Sequence, residues 1–151
     1  MEIKKTLFNK STLYESKNYI TDTFILFNKV NPNDLKLPVF TEKEKEKIIK
    51  YTDKQMGTII PKTKKGLTNI NNIIISEYPL YQYSNYSNAK AVKLESINCK
   101  LNLKYYDFIK EMLSNHISID IYIDKKLALS PVYIFFKKTN VIMAIFMPMS
   151  D

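Results

Sequence analysis

The sequence predicts an α+β domain, and three stretches in its second half carry that expectation. Tyr105, Phe108, Ile109, Met112 and Leu113 recur at spacings of three and four behind Asn102, a residue able to cap a helix. Ile117, Ile119, Ile121 and Ile123 then alternate with Ser118, Asp120, Tyr122 and Asp124, the period-two pattern of a strand with one buried face. Two further apolar runs, residues 131–136 and 141–147, flank the polar turn from Lys137 to Asn140. With 151 residues, 45% of them hydrophobic and 25% charged, the chain has the size and make-up of one globular domain.

Taken from the start, residues 1–34 read as an N-terminal extension, with a polar tract at 9–18 and a strand at 22–30. The turn Asn31-Pro32-Asn33-Asp34 closes it. Residues 35–40 read as a short strand entering a helix over 41–55, where Thr41 and Glu44 have the spacing of a capping box and Glu and Lys alternate up to Ile48, Ile49 and Tyr51. Such alternation gives a solvated face supported by pairs three and four residues apart. Strands are expected at 57–61, at 70–76 with its Ile73-Ile74-Ile75 run, at 89–95 and at 99–103 before the second helix. Residues 35–150 thus read as two strand-helix-strand-strand-strand units, a repeat of architecture without a repeat of residues.

Composition excludes several chemistries. Gly57 and Gly66 are the only glycines, so a glycine-rich phosphate loop is ruled out. Cys99 is the only cysteine, leaving neither an internal disulfide nor a zinc site, and no cofactor or metal is expected. His116 is the only histidine and sits where a turn is expected, so no catalytic constellation assembles around it. Asp120 and Asp124 fall on the polar side of a strand and read as solubility residues. Tyr78, Tyr81, Tyr83 and Tyr86 form an aromatic tract that reads as an exposed edge or partner interface. No enzyme is expected. With no apolar run near the ~20 residues of a membrane span, and no apolar segment behind Met1-Glu2-Ile3-Lys4-Lys5, the expected place is the cytoplasm, away from membranes.

The net charge of +8 comes from 23 basic residues, all of them lysine, against 15 acidic ones. Lysine neutralises phosphate as a point charge but lacks the fork with which arginine reads guanine, so backbone contact fits better than sequence readout. Lys, Asn, Ile and Tyr also share AT-rich codons, and with the small size this composition fits a phage or other mobile element. The excess of basic charge is spread thinly, with one knot at Lys62, Lys64 and Lys65.

The run Leu101-Asn102-Leu103-Lys104-Tyr105-Tyr106, the run Leu129-Ser130-Pro131-Val132-Tyr133-Ile134 and the ending Ala144-Ile145-Phe146-Met147-Pro148-Met149 together resemble the last domain of the bacterial DNA polymerase sliding clamp family. The likeness implies a single sliding-clamp-like domain over 35–151, built from the two units above. It implies a non-enzymatic, replication-associated binding protein whose helices face the backbone of double-stranded DNA without reading sequence. The lysines it nominates are Lys43, Lys47, Lys50 and Lys54 on the first helix, with Lys104 and Lys110 on the second. It also implies an apolar pocket for a short replication-protein peptide, carried over onto Leu129, Pro131, Ile145 and Met147. A closed ring would need a homo-oligomer of about six such domains. The chain departs from the family in ending Ser150-Asp151 and in having Lys90-Ala91 where the family carries an Asp-Gly-x-Arg-Leu-type motif. The reading from another class is a decoy that binds a host replication or defence protein without encircling DNA.

Overall fold

The computed structural model describes residues 1–8, 12–31, 35–83 and 90–149, the side chain of Tyr83 excepted. The α+β class holds, and the second half follows the sequence closely. β8 (Cys99–Asn102) runs into α4 (Leu103–Ser114), then β9 (Ile119–Ile123), β10 (Val132–Phe136) and β11 (Ile142–Phe146). The Asn102 Oδ1 accepts the Lys104 N–H at 3.0 Å and caps α4.

The first half departs from the expected unit. Thr41 and Glu44 form their capping box, but α1 (Glu42–Lys47) ends there, β4 (Ile49–Lys50) follows, and α2 (Asp53–Met56) begins anew. Ile48 is buried in an extended conformation, and the next residue hands its N–H to the Leu13 carbonyl, so pairing takes the chain out of the helix. Thr52 and Gln55 form a second capping box that restarts it. Residues 57–61 hold a 3-10 turn (Gly57–Ile59) in place of a strand, and residues 35–40 make only a bridge of Lys36 to Glu2.

The run at 70–76 is also helical. After β5 (Thr68–Asn69) has paired with β9, α3 (Asn71–Ser76) turns away. The Asn71 side chain takes over the ladder, donating to the Ile119 carbonyl at 3.0 Å and accepting the Ile121 N–H at 2.7 Å. Ile70 and Ile74, four apart, are fully buried while Asn72 between them is exposed, a pattern that a helix satisfies and an alternating strand would not. The expected repeat therefore appears in its second copy and not in its first.

β1 (Tyr14–Glu15), β2 (Tyr19–Thr21) and β3 (Ile25–Asn28) come from residues 1–34, which are no appendage. They lie in one eight-stranded sheet of order β4-β1-β2-β3-β11-β10-β9-β5, with β3 antiparallel to β11 at its middle: Ile25 faces Phe146, Leu26 faces Ile145 and Phe27 faces Ala144. β6 (Leu80–Tyr83), β7 (Lys90–Leu94) and β8 form a separate three-stranded antiparallel sheet.

One face of the large sheet shares a core with α4, β7 and β8, in which Phe27, Phe108 and Phe146 meet edge-on or tilted at about 6 Å and Tyr105 joins at 5.2 Å. The other face presents Leu26, Phe135, Ile142 and Ile145 to Ile60 and Leu67. β11 is buried throughout, and the register shift between Ile134 and Phe135 leaves Met143 and Ala144 both in the first core. Among the described residues, no helix is long and apolar enough to cross a membrane.

Because β3 fills the middle of the sheet, a chain beginning at residue 35 is expected to lose cooperative thermal unfolding by circular dichroism. Phe27→Ala in the full chain should cost about 3–5 kcal/mol in urea denaturation. A truncated chain that still melts cooperatively would show that residues 35–151 fold alone.

Candidate nucleic-acid interface

The segment 57–67 leaves α2 and crosses the outer face of the large sheet, held by what its side chains can bury. Ile60 and Leu67 pack on the second core. Between them Lys64 lies over the rings of Tyr122 and Phe135, its ammonium 5.3 and 5.4 Å from their centres and 3.0 Å from Asp120 Oδ2. The Lys64 N–H donates to Asn140 Oδ1 at 3.1 Å, tying the segment to the β10–β11 turn. That turn points its own Lys138 N–H at the same Asp120 oxygen, at 2.9 Å, with Lys138 at a positive φ of 61°.

Two lysine pairs distant in sequence are thereby brought together. Lys62 and Lys65 flank the Lys64 contact, Lys137 and Lys138 sit on the turn, and all four are exposed. Asp120 is the carboxylate that joins Lys64 to the turn. Burial pushes its carboxyl up, but the Lys138 N–H, the Lys64 ammonium and the charge of Lys137 outweigh that and hold it below the ordinary range. It organises the cluster, which is more than the solubility role that its place on the strand suggested.

The nominated lysines are differently placed. Lys43 and Lys47 are exposed on α1, interleaved with Glu42, Glu44 and Glu46. Glu44 is held down to about 2 chiefly by its hydrogen bond from Lys5, with the Thr41 N–H adding to it. Lys50 lies on β4 and not on a helix, and it pairs with Glu15; Lys54 is exposed on α2. Lys104 and Lys110 flank α4 half-buried, donating to the carbonyls of Thr6 at 3.1 Å and Ile74 at 3.5 Å. Burial pushes the Lys104 ammonium down, with the Asp22 charge acting the other way. The open side of α4 between them carries Asp107 and Glu111. A cleft of about 320 Å³ there is lined by Lys4 and Lys104 but also by Glu2, Asp107 and Glu111, a balance ill suited to a polyanion.

The four residues nominated for a peptide pocket divide between surface and core. Leu129 is exposed, Pro131 and Met147 are half-buried, and Ile145 is 1% exposed beneath the crossing segment. Val132 opposite Phe146 does place Pro131 and Met147 near each other. The ending of the chain serves as a clasp: Met147 N–H donates to the Phe24 carbonyl at 2.8 Å and Met149 N–H to the Lys100 carbonyl at 2.9 Å, linking the large sheet to β8.

Of the other reactive groups, Cys99 is buried, which pushes its thiol up to about 12, and His116 occupies the turn after α4 at a φ of 56°. Tyr78 and Tyr81 are exposed before and on β6, at the edge of the small sheet; Tyr86 lies outside the described residues. Comparison with known proteins returns no match to a family model, a curated protein or a solved structure.

The depressed carboxyl of Asp120 adds stability that is present above the ordinary aspartate value of 3.8 and is lost as pH falls through its lower folded value. Asp120→Asn should therefore melt below the parent at pH 7, and the gap should close in acid. A gap that persists undiminished well below the ordinary aspartate range would show that Asp120 acts through packing and not through its charge.

Proposed function

We propose that this is a non-enzymatic DNA-associated binding protein that holds the sugar-phosphate backbone through lysines without reading base order. The observation that carries the reading is the Lys64 to Asn140 contact, which ties the segment bearing Lys62 and Lys65 to the turn bearing Lys137 and Lys138. Four exposed lysines on two segments tied together offer positive charge to phosphates, and none of them can make the two-pronged contact by which arginine discriminates a base. The order β8-α4-β9-β10-β11 supports a likeness to one unit of a sliding clamp, and a replication role follows from that likeness. The backbone contact is assigned to the β10–β11 turn in preference to α4, whose open side is acidic at Asp107 and Glu111.

The decoy reading draws on a different observation. Tyr78 is 90% exposed, and Leu80 and Tyr81 on β6 are each more than half exposed, so the edge of the small sheet offers apolar surface to a protein partner. A decoy working through that edge would bind its partner with the four lysines replaced.

Binding to a duplex of arbitrary sequence should weaken linearly on a log–log salt plot, with a slope of about 0.9 per phosphate neutralised. Replacing Lys62, Lys65, Lys137 and Lys138 together by Gln should lower the slope by roughly three to four. Replacing Lys104 and Lys110 by Gln should leave it where it was. A slope that follows Lys43, Lys47, Lys50 and Lys54 instead would move the interface to α1, β4 and α2, and a protein that binds no DNA at low salt would remove the reading.

A further inference from the structure

We propose that the groove beside the lysine turn accepts an unpaired base, so that the protein prefers single-stranded DNA to duplex; this rests on the backbone-binding reading above. The groove encloses about 460 Å³ where β2, β3, β10 and β11 meet the turn, and its apolar lining is Tyr19, Val30, Phe136 and Val141. Phe136 is buried and Tyr19 half-buried, while Val30 and Val141 are 66% and 51% exposed at the surface. Apolar residues left open on this scale, next to exposed lysines, suit a ligand with an apolar flat part and a charged part.

The polar side chains of Asn18, Asn28 and Thr139 narrow the choice, because each already makes a hydrogen bond within the protein. Asn18 Nδ2 donates to Asp53 Oδ2. Asn28 Nδ2 donates to the Ile142 carbonyl and its Oδ1 accepts the Val30 N–H. Thr139 Oγ1 donates to the Phe136 carbonyl and accepts the Val141 N–H. A ligand that relied on these atoms would compete with bonds already made, whereas a base binds apolar and aromatic surface through its face whatever its edge. Phe136 and Val141 bracket the turn in sequence, so a base in the groove carries its flanking phosphates toward Lys137 and Lys138. In a duplex the bases are stacked and paired, and none is free to enter.

The test is fluorescence anisotropy with a labelled oligothymidine and a duplex of equal length at the same low salt. The wild-type chain should bind the strand more tightly by about fivefold or more, the range expected for stacking of a single base. Val30→Asn and Val141→Asn together keep the charge and alter only exposed positions; this variant should lose the preference while its duplex affinity stays unchanged. Equal wild-type affinity for strand and duplex, or a preference that survives the double substitution, would overturn the proposal while leaving backbone binding intact. Displacement of the strand by an uncharged leucine-bearing peptide that leaves duplex binding unchanged would overturn it in favour of a protein ligand. Absence of binding to either DNA would overturn both readings together.

Discussion

The structure depends first on the pairing of β3 with β11, which brings residues 25–28 against residues 142–146 at the middle of the large sheet. Every other strand of that sheet is placed outward from this pair. Its inner face carries Phe27 and Phe146, and both rings close on Phe108 of α4. One non-local contact therefore sets the sheet order and seats the longest helix. The cost of closing so long a loop grows only with the logarithm of its length, so the buried aromatic surface can outweigh it.

The outer face is a dependent construction. Bulged at Met143, β11 is buried on both sides, and its outer residues Ile142 and Ile145 need a cover that no regular element supplies. Residues 57–67 supply it with Ile60, Leu67 and the ammonium of Lys64 over two rings. Lys64 is thus spent on structure, and because its neighbours in sequence are also lysines, covering the sheet leaves Lys62 and Lys65 facing outward. The same geometry sets the β10–β11 turn beside them, so a need of packing produces a concentration of charge.

That concentration gives the all-lysine composition a place to act. Lysine supplies affinity for phosphate without base readout, and the adjoining groove offers apolar surface at Val30 and Val141. Both features underlie the proposed ligand, recognised by its charge and its flat faces. The acidic open side of α4 and the carbonyl contacts of Lys104 and Lys110 argue against the helix as the place of contact. The Met-Pro-Met ending works as a clasp between the two sheets, a structural use of the residues on which the likeness to a sliding clamp partly rests.

Periodicity in the sequence is enough to define α4, β9, β10 and β11, because each buries one continuous face and so repeats at 3.6 or 2 residues. The capping boxes at Thr41 and Thr52 are local too, since the groups they satisfy lie three residues away. The Ile73-Ile74-Ile75 run could not be placed this way: β-branched residues suit a strand, and only the occupation of the β9 edge by β5 and Asn71 turned them into a helix. The membership of β1, β2 and β3 in the sheet is equally invisible, since strand pairing leaves no periodic trace of its partner. The lysine cluster joins residues more than seventy positions apart, and the knot at 62–65 was its one visible half. Local pattern reports which face a segment buries; which segment it buries that face against is settled by the folded chain, where surface removed from water is shared between residues that never meet in sequence.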